Sequence, residues 1–242
     1  MRSAGPVWIL VGATVLAEIA YPLTSDTTRD RLTVVTVAVF AAASAVHALL
    51  TRGPRTAAVL VAVTAGGGLA VEAVGTATGV PFGAYRYADS LGPQVLGVPW
   101  VIPFAWTMMA WPAALVAVRL VARPVARIVV AGWALASWDV FLDPQMVAAG
   151  HWTWDAGDIP PTNYAAWLGV ATVMTAVLFR MSTVDVHSGQ DAPMYAAYLW
   201  TYASSVLAHA VFLGLPRSAT WGAVAMGPVA IPLAVTLWRA RR

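Results

Sequence analysis

Apolar runs of about 20 residues recur eight times along this chain, at approximately 6–24, 32–50, 56–78, 99–121, 124–142, 162–180, 193–215 and 219–238. A helical stretch of that length matches the hydrocarbon thickness of a bilayer. In hydrocarbon no water satisfies a free backbone N–H or C=O, so such runs become helices, which close their own hydrogen bonds. The fold class that follows is all-α, a polytopic transmembrane helical bundle of about eight spanning helices. Composition agrees: only 10% of the residues are charged and the mean hydropathy is +0.71, against roughly 25% charged residues in a soluble domain. Residues 1–242 are read as a single integral membrane domain, with no loop long enough to hold a soluble one. The first apolar run could be a signal sequence, but Glu18 interrupts it and seven more runs follow, so it is read as an uncleaved helix.

Charge sets the orientation. All fourteen basic residues are Arg. With both termini cytoplasmic, Arg2, Arg52, Arg55, Arg119, Arg123, Arg127, Arg180, Arg239, Arg241 and Arg242 lie inside, and Arg29, Arg31, Arg86 and Arg217 outside. Ten against four follows the positive-inside rule and favours an even number of spans. Because these residues are scattered between apolar runs, they draw no continuous basic face, which argues against a nucleic-acid partner. The chain has no Cys, which excludes disulfides, thiolate metal sites and Cys nucleophiles.

Three carboxylates, Glu18, Glu72 and Asp139, fall inside the expected helices, each a few residues from the outer end. A charge within a span costs about 2.5–3.5 kcal/mol on insertion scales, so such groups usually face the bundle interior and have partners. Three at one depth suggest a shared polar pocket in which a buried carboxyl serves as proton donor; alternatively they bond Ser, Thr or Trp and only fix packing. Asp139 and Asp143 are four apart on one helical face, and Pro144 is expected to mark the helix exit. Such a pair can divide acid and base roles, or Asp143 can be an exposed helix terminator. Gly68, Glu72 and Thr76 form one stripe of the third helix among Gly66, Gly67, Gly75 and Gly79, small residues that serve close packing or leave room for a ligand.

The seventh helix carries Tyr195, Tyr198, Tyr202, Ser205 and His209 at spacings of three and four, one polar-aromatic stripe whose His209 reaches the acidic level. His209 reads equally as catalytic or as a core histidine satisfied by a hydroxyl, and His47 and His187 carry no comparable signal. Of the twelve Trp, Trp100, Trp152 and Trp154 occupy positions expected of an interfacial belt. Trp106, Trp138 and Trp167 lie beside the acids, where an aromatic face can stabilise a cation. No His pair stands at ligand spacing and no phosphate-binding Gly loop or G-x-S-x-G elbow occurs, so neither a metal nor a cofactor is expected.

The run Glu72-x-x-Gly75-x-x-x-Gly79-x-Pro81-Phe82-Gly83-x-Tyr85-x-Tyr87, with Gly97-Val98-Pro99-Trp100, Trp138-Asp139 to Asp143-Pro144 and Gly150-His151-Trp152-Thr153-Trp154, resembles the membrane carotenoid-biosynthesis family that includes γ-carotene and bisanhydrobacterioruberin hydratases. The resemblance is strong over residues 66–170 and rests on hydropathy elsewhere. One stretch departs from the family pattern: Ala156 and Asp158 precede Ile159-Pro160, and Ala166 replaces a Gly before Trp167, while Asn163 is kept.

The resemblance implies addition of water across the terminal 1,2 double bond of an acyclic carotenoid end group, giving a tertiary alcohol. Protonating the less substituted alkene carbon yields a tertiary cation, which demands a desolvated acid, an environment for the cation and an oriented water. Glu72, Asp139 and Asp143 are the expected catalytic groups, with acid and base undivided. Glu18, Phe82, Tyr85, Tyr87, Trp106, Trp138, Asn163, Trp167, Tyr202 and His209 are the expected substrate-binding groups, of which Tyr85 and Asn163 are carried over from the family motifs. The implied setting is the cytoplasmic membrane of a bacterium or archaeon. The implied partners are a lipid-soluble carotenoid, water and membrane lipids, with other carotenoid-pathway enzymes as further candidates. Rival readings are a carotenoid end-group cyclase, a prenyltransferase using the D-x-x-x-D spacings at Asp26/Asp30 and Asp139/Asp143, and a proton-coupled transporter or pigment-binding protein.

Overall fold

The computed structural model describes residues 5–185 and 190–240; Arg2, His187, Arg241 and Arg242 lie outside them. The apolar runs form helices α1 (Gly5–Leu23), α2 (Asp26–Arg52), α3 (Pro54–Thr78), α4 (Ile102–Leu120), α5 (Pro124–Ala148), α6 (Pro161–Met181), α7 (Ala192–Leu207) and α8 (Pro216–Arg239). Among the described residues, seven are long and apolar enough to cross a membrane. The remaining helix, α7, has 16 regular residues and continues through a wide π turn, Ala208–Phe212. The chain is a multi-pass, all-α membrane bundle.

Helix α4 is the axis. It is buried along almost its whole length, whereas the other spans turn much of their surface outward, as apolar side chains can when lipid is the solvent. Pro112 within it cannot donate to the carbonyl four residues back, and Ser44 Oγ of α2 donates to that Met108 oxygen instead, at 2.9 Å.

Pro144 shows the same device and corrects one expectation. It does not end its helix, which runs on to Ala148. The Val140 carbonyl it leaves free accepts Ser218 Oγ of α8 at 2.9 Å, so a tertiary hydrogen bond substitutes for the missing helical one. The regular geometry of α5 is interrupted earlier, at Ser137–Trp138, between the segments Pro124–Ala136 and Asp139–Ala148.

The connections α1–α2, α3–α4, α5–α6 and α7–α8 gather at one end of the bundle. Two of them are long and fold over that end as a cap. Strand β1 (Tyr85–Tyr87) pairs antiparallel with β4 (Trp152–Trp154) in the register Tyr85–Trp154 and Tyr87–Trp152. Strands β2 (Gln94–Val95) and β3 (Val98–Pro99) form a hairpin whose turn residues Leu96 and Gly97 both have positive φ, the two-residue turn that matches strand twist. Arg29, Arg31, Arg86 and Arg217 belong to this end, while Arg52, Arg55, Arg119, Arg123, Arg127, Arg180 and Arg239 belong to the other.

The aromatic-belt expectation fails in the cap. Trp152 and Trp154 are both buried, whereas Trp100 is 38% exposed. Pairing with β1 turns the two indoles inward, because alternate side chains of a strand share a face.

Candidate active site

Glu72 of α3 is 3% exposed, yet it faces three hydrogen-bond donors. Its Oε2 accepts the Tyr85 hydroxyl at 2.5 Å and the Tyr87 hydroxyl at 2.8 Å, and its Oε1 accepts Trp106 Nε1 at 3.3 Å. Tyr85 and Tyr87 are two apart on β1, which brings both to one carboxylate. Burial first, and the Glu72 carboxylate second, push both phenols above their ordinary range, so they remain donors. The close approach explains two glycines. A Cβ at Gly75, one turn beyond Glu72, would meet Phe82 and the Tyr85 hydroxyl at 2.9 Å, and one at Gly68, one turn before, would meet Trp106 at 2.6 Å.

A second carboxyl centre lies on α5. Asp139 and Asp143 are both buried, and Asn163 Nδ2 of α6 donates to Oδ2 of each, at 3.0 Å for Asp139. Trp152 Nε1 of the cap donates to Asp143 Oδ1 at 3.2 Å. Asp139 Oδ1 is buried with no hydrogen-bond partner. Asp143 is therefore no exposed helix terminator. Two carboxylates sharing one amide donor repel each other unless one proton is held between them.

Between the two centres stand the indoles of Trp106 and Trp167, stacked at 3.9 Å with planes 11° apart, and Trp138 meets Trp167 edge-on at 6.4 Å. Glu72, Asp143, Asn163 and these three Trp line one cavity, roofed by Phe82, Tyr85, Tyr87, Trp152 and Trp154. Asp139 stands behind Asp143, off the cavity lining. On the opposite wall Glu18 accepts Ser204 Oγ at 3.4 Å. The arrangement offers buried carboxyls in two hydrogen-bonding states beside aromatic faces, which is what moving a proton onto and off an apolar ligand through a cation requires.

Two expected binding residues stand elsewhere. Tyr202 turns to α8, where its hydroxyl donates to the Ala223 carbonyl at 3.4 Å. His209 is held between Ser218 Oγ and the Gln145 side chain, each at 2.9 Å, with Phe141 edge-on. The cause is the π turn, whose extra residue rotates the helix face: Ser205 and Ala208 line the cavity and His209 does not. Sequence reasoning missed Trp152 as a donor to Asp143 and Gln145 as a cavity residue. No sequence signal pairs Trp152 with Asp143, since that contact depends on the cap fold.

Comparison with known proteins places the chain. No solved structure matches it. The bisanhydrobacterioruberin hydratase of Haloarcula japonica is 33% identical over 106 residues, covering 40% of this chain and 36% of that protein. The match thus spans about a third of that relative's length. The family model described as "Carotenoid biosynthesis protein" matches residues 32–233, most of the chain. With both carboxyl centres of the cavity inside the matched residues, this chain belongs to the carotenoid biosynthesis protein family.

Proposed function

We propose that this protein is a carotenoid hydratase, which adds water across the terminal 1,2 double bond of an acyclic carotenoid end group. The observation that carries this reading is the pairing of two unlike carboxyl centres in one aromatic-lined cavity. Glu72 accepts three donors and is built to be an anion; Asp139 and Asp143 share one amide donor and are built to hold one proton. The similarity to a hydratase supports the same reading.

In the proposed reaction Asp143, which faces the cavity, gives the shared proton to C2 of the alkene, and Asp139 takes up the resulting negative charge with it. The π electrons form the new C–H bond and leave a tertiary cation at C1, facing the Trp106 and Trp167 rings. Water attacks C1 and passes a proton to Glu72, leaving a tertiary alcohol. Tyr85 and Tyr87 hold Glu72 in place for that transfer. The proton Glu72 gains equals the one the aspartate pair gave, so the cycle closes by transfer through water. The reaction is redox-neutral. The excess of Arg at the end opposite the cavity supports a cytoplasmic location for both termini, in the cytoplasmic membrane of a bacterium or archaeon, with residues 1–242 acting as one domain.

Expression in a lycopene-accumulating bacterium tests the reading by mass spectrometry of the pigments. A product heavier by one water is expected, and Glu72→Gln, Asp139→Asn and Asp143→Asn should each abolish it while the protein still inserts. An isomer of unchanged mass would replace hydration by cyclisation, and full activity in Glu72→Gln together with Asp139→Asn would overturn the acid–base assignment.

A further inference from the structure

Hydration joins two reactants that arrive separately, a carotenoid through lipid and a water through an aqueous face. Towards the inner end, α4 continues from the cavity residue Met108 as Met109, Trp111, Leu115 and Val116, all buried, so packed apolar side chains stop the cavity from below. At the outer end its roof is the β1–β4 ribbon, one layer of backbone thick. Successive residues of a strand take opposite faces. Tyr85 and Tyr87 point to Glu72 while Arg86 between them is exposed, and Trp152 and Trp154 are buried while Thr153 is exposed. The Glu72 centre thus lies one strand away from the outer surface of the cap.

That ribbon is also a seam. Its strands belong to different connections, β1 to α3–α4 and β4 to α5–α6, and three residue pairs join them. Backbone bonds flank the join, from Asp155 N to the Ala84 carbonyl at 2.9 Å and from Ala88 N to the His151 carbonyl at 2.8 Å. The Arg86–Asp155 ion pair, exposed on both sides, Ser90 Oγ with His151 Nδ1 at 2.8 Å, and Trp154 Nε1 with the Phe82 carbonyl at 3.0 Å also fasten it. On the cavity side the two strands are tied to different carboxyl centres. Tyr85 and Tyr87 hold β1 to Glu72, whereas Trp152 Nε1 holds β4 to Asp143 at 3.2 Å. Across the join Tyr87 and Trp152, opposite each other in the register, meet edge-on at 5.5 Å.

A hydrogen bond to an anion is roughly twice as strong as one to a neutral acceptor. In the reaction set out above, Glu72 gains a proton and so loses the charge to which Tyr85 and Tyr87 donate, while Asp143 gains charge and holds Trp152 harder. Turnover therefore slackens β1 and tightens β4. We propose that the β1–β4 seam is the water gate of the cavity: it parts on the Glu72 side when that carboxyl is protonated, admits water from the outer face, and shuts when Glu72 is again an anion. What the gate serves rests on the hydratase reading; the gate itself rests on the contacts of the ribbon.

Hydrogen exchange of the purified protein in detergent reads the gate without any hydration. Glu72→Gln imitates the protonated carboxyl and should speed deuterium uptake at the cross-seam amides of Ala88 and Asp155 by about 10-fold, with thermal melting confirming the fold. Arg86→Ala with Asp155→Ala, which unfastens the outer side, should also speed it. The chain has no Cys, so Arg86→Cys with Thr153→Cys, a directly opposed outward pair, makes a single disulfide that locks the seam. Oxidation should slow exchange of the buried Trp106 indole N–H, followed by NMR, and slow hydration by about 10-fold or more, with carotenoid binding by tryptophan quenching unchanged and reductant restoring both rates. Amide uptake equal in Glu72→Gln and wild type, Trp106 exchange unchanged by the lock, or a locked protein that hydrates at the reduced rate would each overturn the gate. Failure of the hydratase reading looks different: no form yields a product heavier by one water, while the exchange differences persist.

Discussion

Gly68→Ala should damage the Glu72 centre by displacing Trp106. The added methyl would stand 2.6 Å from Cδ1 and 3.1 Å from Cγ of that indole. Carbon atoms in contact prefer about 3.5–4.0 Å, so the ring must retreat by about 0.9 Å. Trp167, stacked on it at 3.9 Å, and the bond to Glu72 both oppose the retreat. That bond is already 3.3 Å long, and any appreciable shift carries it past the usual hydrogen-bond limit of about 3.5 Å. Overpacking costs about 1–3 kcal/mol in stability. Loss of a donor to a charged acceptor costs about 1.5–3 kcal/mol, equivalent to roughly a 10- to 150-fold fall in rate if the Trp106 bond matters most in the reacting state. Hydrated carotenoid formed by the purified protein, with tryptophan fluorescence reporting the displaced indole, measures both. Gly66→Ala is the control, because a Cβ there meets nothing within 4 Å. A Gly68→Ala rate within about twofold of wild type would refute the requirement for the Trp106–Glu72 contact.

Other expectations follow from single contacts. Ser218→Ala strips the only partner described for the Val140 carbonyl and should cost about 1–3 kcal/mol in thermal melts; adding Pro144→Ala, which restores a helical N–H, should recover part of it, and strict additivity in that double-mutant cycle would contradict the substitution device. Asn163→Leu removes the donor shared by Asp139 and Asp143 and should lower hydration at least as far as Asp143→Asn without preventing insertion; unchanged turnover would dissociate Asn163 from the acid pair. His151 of the cap, with Ser90 at 2.8 Å and Asp30 and Arg29 nearby, has its pKa lowered by burial. The folded state then binds fewer protons than the unfolded one, so stability should fall as pH drops below the ordinary histidine value of about 6.5. His151→Gln should flatten the dependence of the melting temperature between about pH 7.5 and 5.5, and an equal slope in both proteins would exclude His151 as its source.

The bundle was legible because the rule that produces it is local. Each apolar run must close its own backbone hydrogen bonds in lipid, so helices α1 to α6 and α8 lie close to the apolar stretches that announce them. The carboxyls were legible for a similar reason, since a charge within such a run is costly wherever the chain goes next. Spacing also placed Asp139 and Asp143 on one face, and the motifs shared with carotenoid-biosynthesis proteins brought Tyr85 and Asn163 to notice.

Tertiary structure decided what those carboxyls touch. Trp152 reads as a membrane-surface residue until β4 pairs with β1, a register set between segments more than sixty positions apart. His209 reads as a site residue until the π turn rotates it towards Ser218 and Gln145. Pro144 reads as a helix end until Ser218, from another helix, satisfies the carbonyl it leaves free. In each case the sequence supplied a group with an unmet hydrogen-bonding need, and a residue distant in the chain met it. Local patterns fix which groups are costly to bury, whereas the packing of helices and cap fixes which partner makes burial tolerable.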